Sequence, residues 1–248
     1  MYSRSSTIDA CAEGLRSEVT SVSANQGPTM ISIREASASD LAQIVNMHEH
    51  CFPGFLMTML GSAFLRAYYK TCLNFSGTVA LIAQEEGKTL GFLVGYLAPS
   101  RFYTLLSSRW CLLAWTATRS VLRSPDLLTR VFGNFRRMNR LAKRNAGQEL
   151  GVELASVAVL PAASGRGLGK ALISAFAQRA RTCGAHHMYL TTDAQNNEKV
   201  NAFYGDLMFT RAATFLAPGG RLMNKYVLLL EGQSVCGSSG NADRPTIL

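Results

Sequence analysis

ELASVAVLPAASGRGLGKALISAFAQRA, residues 153–180, contains the stretch on which the fold turns, Val157 to Lys170. An apolar strand over Leu154–Leu160 ends at Pro161, and a loop of small residues follows. Gly165, Gly167 and Gly169 then lead into an amphipathic helix over Gly169–Cys183. Glycines let a backbone come close to an oxygen-rich group, and the free N–H groups and positive dipole end of a helix start favour negative charge. That is a phosphate site by physical argument alone, and two nucleotide-binding patterns compete for it. A P-loop ending at Gly169-Lys170 needs glycine where Ser164 stands and Ser or Thr where Ala171 stands, so it fails twice. A Rossmann turn has its acid in Asp193, roughly 20 residues on. However, Pro161-Ala162-Ala163-Ser164 separates strand from glycine where that motif turns at once, and too little chain remains for a second half-sheet. The plain alternative is a glycine-rich structural turn.

Outward from this loop the chain alternates strands and helices. Met30–Arg34 is a short strand, and Ser39-Asp40 opens a helix with Leu41, Ile44, Val45 and His48 at helical spacing. A second helix is expected from Leu56 to Cys72. Thr78–Gln84 and Thr89–Leu97 read as a hairpin joined by Glu85-Glu86-Gly87-Lys88. After the glycine loop and its helix come a strand at Met188–Thr192, a short helix at Asn197–Leu207, and two strands, Arg211–Leu216 and Arg221–Leu230, around Pro218-Gly219-Gly220. The fold class is α/β in one domain over residues 30–230. Residues 1–29 and 231–248 are rich in small and polar residues and read as tails that do not pack.

With VAVLPAASGRGLGKALI and NNEKVNAFYGDLMF in place, the chain resembles the Gcn5-related N-acetyltransferase (GNAT) superfamily over about Ile31–Leu97 and Gly151–Leu230. The resemblance implies a mixed, mostly antiparallel central sheet flanked by helices, with acetyl-CoA as co-substrate. In the family's loop pattern the first position is Gln or Arg; here it is Ser164, followed by Gly167 and Gly169 in register. The expected cradle is therefore the backbone from Ser164 through Gly165, Arg166, Gly167, Leu168 and Gly169 to Lys170, with Arg166 and Lys170 supplying charge. Met208 also departs from the family, standing where glycine is usual.

The resemblance further implies that the backbone around Val157, Ala158 and Val159 pairs with the pantetheine arm and polarises the thioester carbonyl. Acyl transfer needs a deprotonated amine, and free amines with pKa near ~10 are mostly charged at neutral pH. Glu153 is the candidate base, a carboxylate expected on the strand face of Ala155, Val157 and Val159; the alternative is a solvated strand-end acid. In the family the tyrosine of Asn-x-x-Ala-x-x-Phe-Tyr protonates the departing thiolate. Asn197 to Tyr204 fits that spacing, with Val200 for the alanine. Tyr204 is thus the candidate acid, against a packed core tyrosine. Asn197, with Asn196 as the alternative, is the associated cofactor contact.

Charge is concentrated in one place. Between Pro99 and Ala146 stand ten basic residues and one acid, Asp126, a net +9 equal to that of all 248 residues. In the family a short turn joins the third and fourth strands. Here a helical insertion, 99–148, replaces it, with a first helix expected near Tyr103–Arg123. Arg109, Thr116, Ser120 and Arg123 fall along one side of that helix, and Trp110, Cys111, Ala114, Trp115 and Leu122 largely on the other. A second helix is expected from Ser124-Pro125-Asp126, with Leu128, Val131, Phe135, Met138 and Ala142 at helical spacing. The insertion reads as a packed α-hairpin with solvated arginines, as an electropositive wall for an anionic acceptor, or as an interfacial pair on anionic membrane. Nucleic acid has no base-reading motif to meet it.

The six cysteines, among them Cys11 and Cys236, have no regular spacing. They read as reduced, mostly buried residues of a cytoplasmic protein. His48, His50, His186 and His187 form no ligand pattern, so no metal is expected. Nothing reads as a leader or a bilayer span. The expected activity is transfer of acetyl to a primary amine of a small molecule, such as an amino sugar. Peptide or protein amines, a non-catalytic acyl-CoA-binding module, and a homodimer stay open.

Overall fold

The computed structural model describes residues 31–123, 133, 151–217 and 220–230. The tails expected at 1–29 and 231–248, and the second insertion helix expected from Ser124, lie outside those residues. Seven strands form one sheet: β1 (Ile31–Glu35), β2 (Thr78–Glu85), β3 (Lys88–Tyr96), β4 (Gly151–Val159), β5 (His187–Asp193), β6 (Thr210–Leu216) and β7 (Leu222–Leu229), in the order β1-β2-β3-β4-β5-β7-β6. Every neighbouring pair is antiparallel except β4 with β5. The helices are α1 (Leu41–Cys51), α2 (Leu56–Met59), α3 (Ser62–Asn74), α4 (Pro99–Ser108), α5 (Trp110–Arg123), α6 (Leu168–Thr182) and α7 (Glu198–Asp206). The mixed, mostly antiparallel sheet and the helices between β3 and β4 agree with the expected fold.

Each sheet face has its own core. On one, α6 lays Leu172, Phe176 and Ala180 over Leu81, Leu93, Leu154 and Met188, all buried. On the other, α1, α3, α4 and α5 cover Ile82, Phe92, Val94 and Tyr96 with Ile44, Leu65, Tyr69, Phe102 and Leu113. The central strands are apolar on both sides, as strands covered by helices on both faces must be. The phenol of Tyr69 meets His48 Nδ1 at 2.7 Å. Burial lowers the pKa of that imidazole to about 4, so it is neutral at neutral pH. The Arg34 guanidinium holds the Asp40 carboxyl down at about 2 through a paired hydrogen bond (2.8 and 2.7 Å), which ties β1 to the start of α1.

Several boundaries differ from expectation. The helix expected over Leu56–Cys72 is two helices, because the chain turns at Leu60-Gly61, where Gly61 has φ 89°. β4 begins three residues early, at Gly151, and α6 one early, at Leu168. The single first helix of the insertion is broken at Arg109 into α4 and α5. The apolar side of α5 is also not the packed one. Leu113 and Ala117 are buried and Ser120 donates to the Leu60 carbonyl at 3.0 Å, while Trp115 and Leu122 face outward. At Ser120 the approach is close, since a Cβ on Gly61 would stand 3.1 Å from its hydroxyl, and a small polar side chain fits there where a tryptophan would not. Among the described cysteines Cys72 is buried, Cys51 and Cys183 are intermediate, and Cys111 is exposed. No described helix is long and apolar enough to cross a membrane.

Candidate active site

The site grows from a departure in β4. β4 and β5 pair only over Gly151–Glu153 with His187–Tyr189, yet β4 runs on to Val159 and β5 to Asp193. Beyond Glu153 the two strands part. The Leu160 N–H is directed to β3, donating to the Leu90 carbonyl at 2.8 Å. By alternation Ala158 also turns its backbone to β3, while Val157 and Val159 turn theirs toward the gap. An extended group carrying amides can add there as a strand would. Part of that edge is engaged, since the Cys51 thiol contacts the Val159 carbonyl at 3.7 Å. Ala158 does not face the gap: it is buried against α1 and α3 and sits opposite Phe92 of β3.

At the far end of β4 stands the glycine loop. Gly165 and Gly167 have φ of 79° and 78°, a region L-residues rarely occupy, and the space where a Cβ would sit is open at both. Gly167 caps α6 with no side-chain hydrogen bond, and the first turn of α6 has no acid. The N–H groups of Leu168, Gly169 and Lys170 therefore lack helical acceptors, and Lys170 adds a cation beside them. Gly169 has a packing role too, since a Cβ there would stand 3.2 Å from the Phe203 ring. Ser164 is extended and closes a turn onto Pro161. Arg166 is not turned to the helix start: its guanidinium pairs with Glu85 at the end of β2, one contact being 3.1 Å. The charge expected of Arg166 is thus spent on the loop's anchorage, and Lys170 is the cation left beside the cradle.

The near end of β4 is made of side chains. Glu153 accepts hydrogen bonds from Tyr103 of α4 at 2.9 Å and from Tyr189 of β5 at 3.2 Å. It does not share a face with Val157 and Val159. Leu154 pairs with Gly95 and Ser156 with Val94, so Ala155 is a β-bulge that reverses the alternation. Val157 and Val159 pack on the α6 side with Val152 and Leu154, and Glu153 points to the opposite side, under α4. Burial, then the Glu153 charge, pushes the Tyr103 hydroxyl well above the usual phenol range, so it stays a donor. Tyr96, opposite Glu153 on β3, shares a hydrogen bond with Tyr68 at 2.6 Å and stacks on Phe102 at 3.8 Å. Nothing in the residue pattern points to Tyr103 or Tyr189. Only the β4–β5 register and the seating of α4 bring them to the carboxylate.

Tyr204 comes from α7 on the α6 side of the sheet. It is 7% exposed, between Phe203, Phe209 and Tyr226 with ring centroids at 5.4, 5.6 and 5.9 Å. Its hydroxyl has no hydrogen-bond partner among the described residues, and burial raises its pKa. It therefore keeps its proton at neutral pH, free to donate. Asn197 caps α7 and donates to Thr192 Oγ1 (2.9 Å) and the Asp193 carbonyl (3.2 Å), so its amide is used in holding β5 to α7. Asn196 precedes it in a left-handed conformation, φ 52°, with its side chain exposed. Asn201, which the sequence did not single out, binds the Asp193 carbonyl and accepts from Asn224 and Tyr226. No group of three or more His, Cys, Asp or Glu among the described residues could hold a metal ion.

The model of the acetyltransferase (GNAT) family matches residues 130–208, which span β4, the glycine loop, α6, β5 and α7. Over that stretch the chain is similar to the GNAT acetyltransferase family. Solved structures share its fold. The structure described as SsHAT is 18% identical, with TM-score 0.57, covering 81% of this chain and 98% of that one. An N-acetyltransferase from Staphylococcus aureus Mu50 is 15% identical, with TM-score 0.51, covering 81% and 99%. The yncA protein from Salmonella typhimurium, solved with its cofactor acetyl-CoA, is 22% identical, with TM-score 0.50, covering 82% and 96%. No curated protein matches the chain.

Proposed function

We propose that this GNAT enzyme takes acetyl from acetyl-CoA and passes it directly to a primary amine of a small molecule, most simply an anionic or nucleotide-linked amino sugar. The observation that carries the reading is β4 itself. One strand presents a tyrosine-held carboxylate at one end, an open backbone edge in its middle and an uncapped, acid-free helix start beyond it. These fit the parts of a coenzyme A thioester. The N–H groups of Gly167 to Lys170 suit the pyrophosphate, and the backbone of Val157 and Val159 suits the amides of the arm. When bound, acetyl-CoA supplies an activated acetyl group.

The chain's own residues supply the proton chemistry. Glu153 accepts the proton of the incoming ammonium, directly or through one water, and Tyr103 and Tyr189 hold its carboxylate in place. Tyr204 Oη, kept protonated by burial, gives its proton to the sulfur that leaves, and the second proton that the nitrogen sheds as the amide forms restores the phenol through solvent. An N–H of Val157 or Val159 stabilises the charge that develops on the carbonyl oxygen. Glu153 and Tyr204 reach the reacting centre from opposite faces of the sheet, so proton removal and proton delivery do not compete for one space. The sugar reading rests on the basic insertion, whose α4 carries Arg101 and ends at Arg109, both exposed, on the Glu153 side.

The test is a panel of amino sugars, polyamines, amino acids and peptides offered with acetyl-CoA, reading both free thiol and acetylated product. An anionic amino sugar is expected to give the highest kcat/KM. A preference for peptide amines would overturn the small-molecule assignment, and thiol release without any acetylated amine would sink direct transfer.

A further inference from the structure

α5 already has its contact with the body of the protein. Leu113 and Ala117 are buried, and the Ser120 hydroxyl bonds the Leu60 carbonyl at 3.0 Å. Its opposite side holds Leu112, Trp115 and Leu122, which are 60%, 79% and 77% exposed. At these spacings the three lie on one stripe along successive turns. An amphipathic helix turns its large apolar groups inward, and this one turns them out.

Charge decides what can cover the stripe. Residues 99–123, the whole of α4 and α5, contain Arg101, Arg109, Arg119 and Arg123 and no acid. A second copy of the chain docking here would bring this arginine-bearing, acid-free segment against itself, in a protein of net charge +9. An anionic lipid surface meets both requirements at once. Its acyl boundary takes tryptophan and leucine, and its headgroups attract guanidinium groups. We infer that α5 is a peripheral anchor for anionic membranes, with Trp115 seated at the boundary between headgroups and acyl chains. The anchor adds location to the enzyme and is independent of which amine it acetylates.

The full chain with Trp110→Phe retains Trp115 as its one tryptophan, so emission reports the proposed contact itself. Vesicles of phosphatidylglycerol and phosphatidylcholine are expected to sediment the protein at low salt and shift Trp115 emission to the blue. Pure phosphatidylcholine is expected to do neither, and high salt to weaken the binding. In otherwise wild-type chain, replacing Leu112, Trp115 and Leu122 together by Gln is expected to lower the partition coefficient at least about tenfold. Because all three are exposed, the melting temperature and the acetylation of soluble amines should not change. Absence of binding to the anionic vesicles would overturn the inference. So would undiminished binding by the triple variant, which would reduce the contact to non-specific charge. Self-association through this face with no vesicle binding would assign it to a second copy instead.

Discussion

The two ends of β4 are built from different materials. Toward the glycine loop the useful groups are main-chain N–H groups, at Val157, Val159 and the first turn of α6, with Lys170 as the nearby cation. Around Glu153 they are side chains drawn from three separate elements, β4, β5 and α4. A backbone cradle recognises what every co-substrate molecule shares and depends on chain path more than residue identity. A constellation of side chains can change its acceptor by substitution, because each contributor sits on a different element. On the proposed reading, the departure from the family's loop pattern at Ser164 is tolerable for the same reason, whereas the proposed acceptor end has no such redundancy.

Substitutions should separate the two ends kinetically. The largest effect is expected for Glu153→Gln, which keeps the shape of the side chain and removes the base. Turnover should fall by roughly 10²- to 10⁴-fold with acetyl-CoA affinity nearly unchanged, and the pH–rate profile should lose its acid limb. Unchanged turnover would remove Glu153 from the mechanism and leave β4 with a donor end alone. Tyr204→Phe is expected to cost about 10²-fold in turnover, with little change in melting temperature because the hydroxyl lacks a described partner. A wild-type rate would return Tyr204 to the core.

At the other end, Gly167→Ala puts a side chain where φ is 78°. It should raise the acetyl-CoA KM by about tenfold while kcat moves by no more than about twofold. A kcat effect without a KM effect would break the division between the ends. The smallest change is expected for Tyr103→Phe, which removes one of two phenol hydrogen bonds to Glu153. A several-fold loss in kcat, with the acid limb of the pH profile moving to higher pH, would mark Tyr103 as a positioning residue; a loss in stability with no change in that limb would mark it as packing.

The strand, small-residue loop, glycines and helix start were legible in the sequence, since they depend on local order. Strand and helix periodicity also located most elements to within a few residues. What it could not carry depends on distant pairing. Tyr103 and Tyr189 are 50 and 36 residues from Glu153, and only sheet register and helix seating bring them together. Arg166 reads as a phosphate ligand until Glu85, 81 residues away, is seen to hold it. The outward face of α5 was hidden for a related reason. Periodicity finds the apolar side of a helix, but the neighbour's shape decides which side packs.

Ala155 also governs how this enzyme can be altered. Side-chain parity along β4 is reset at that one residue, so the strand should accept substitutions more readily than changes of length. Deleting Ala155 would restore plain alternation and rotate Glu153 toward α6, against Leu172 and Phe176, where a carboxylate has no polar partner to compensate its desolvation. Single-residue insertions and deletions in β4 are therefore a harder barrier to evolving this enzyme than replacement of its flanking side chains. Compensated pairs, one on each side of the bulge, are the route by which the strand can drift.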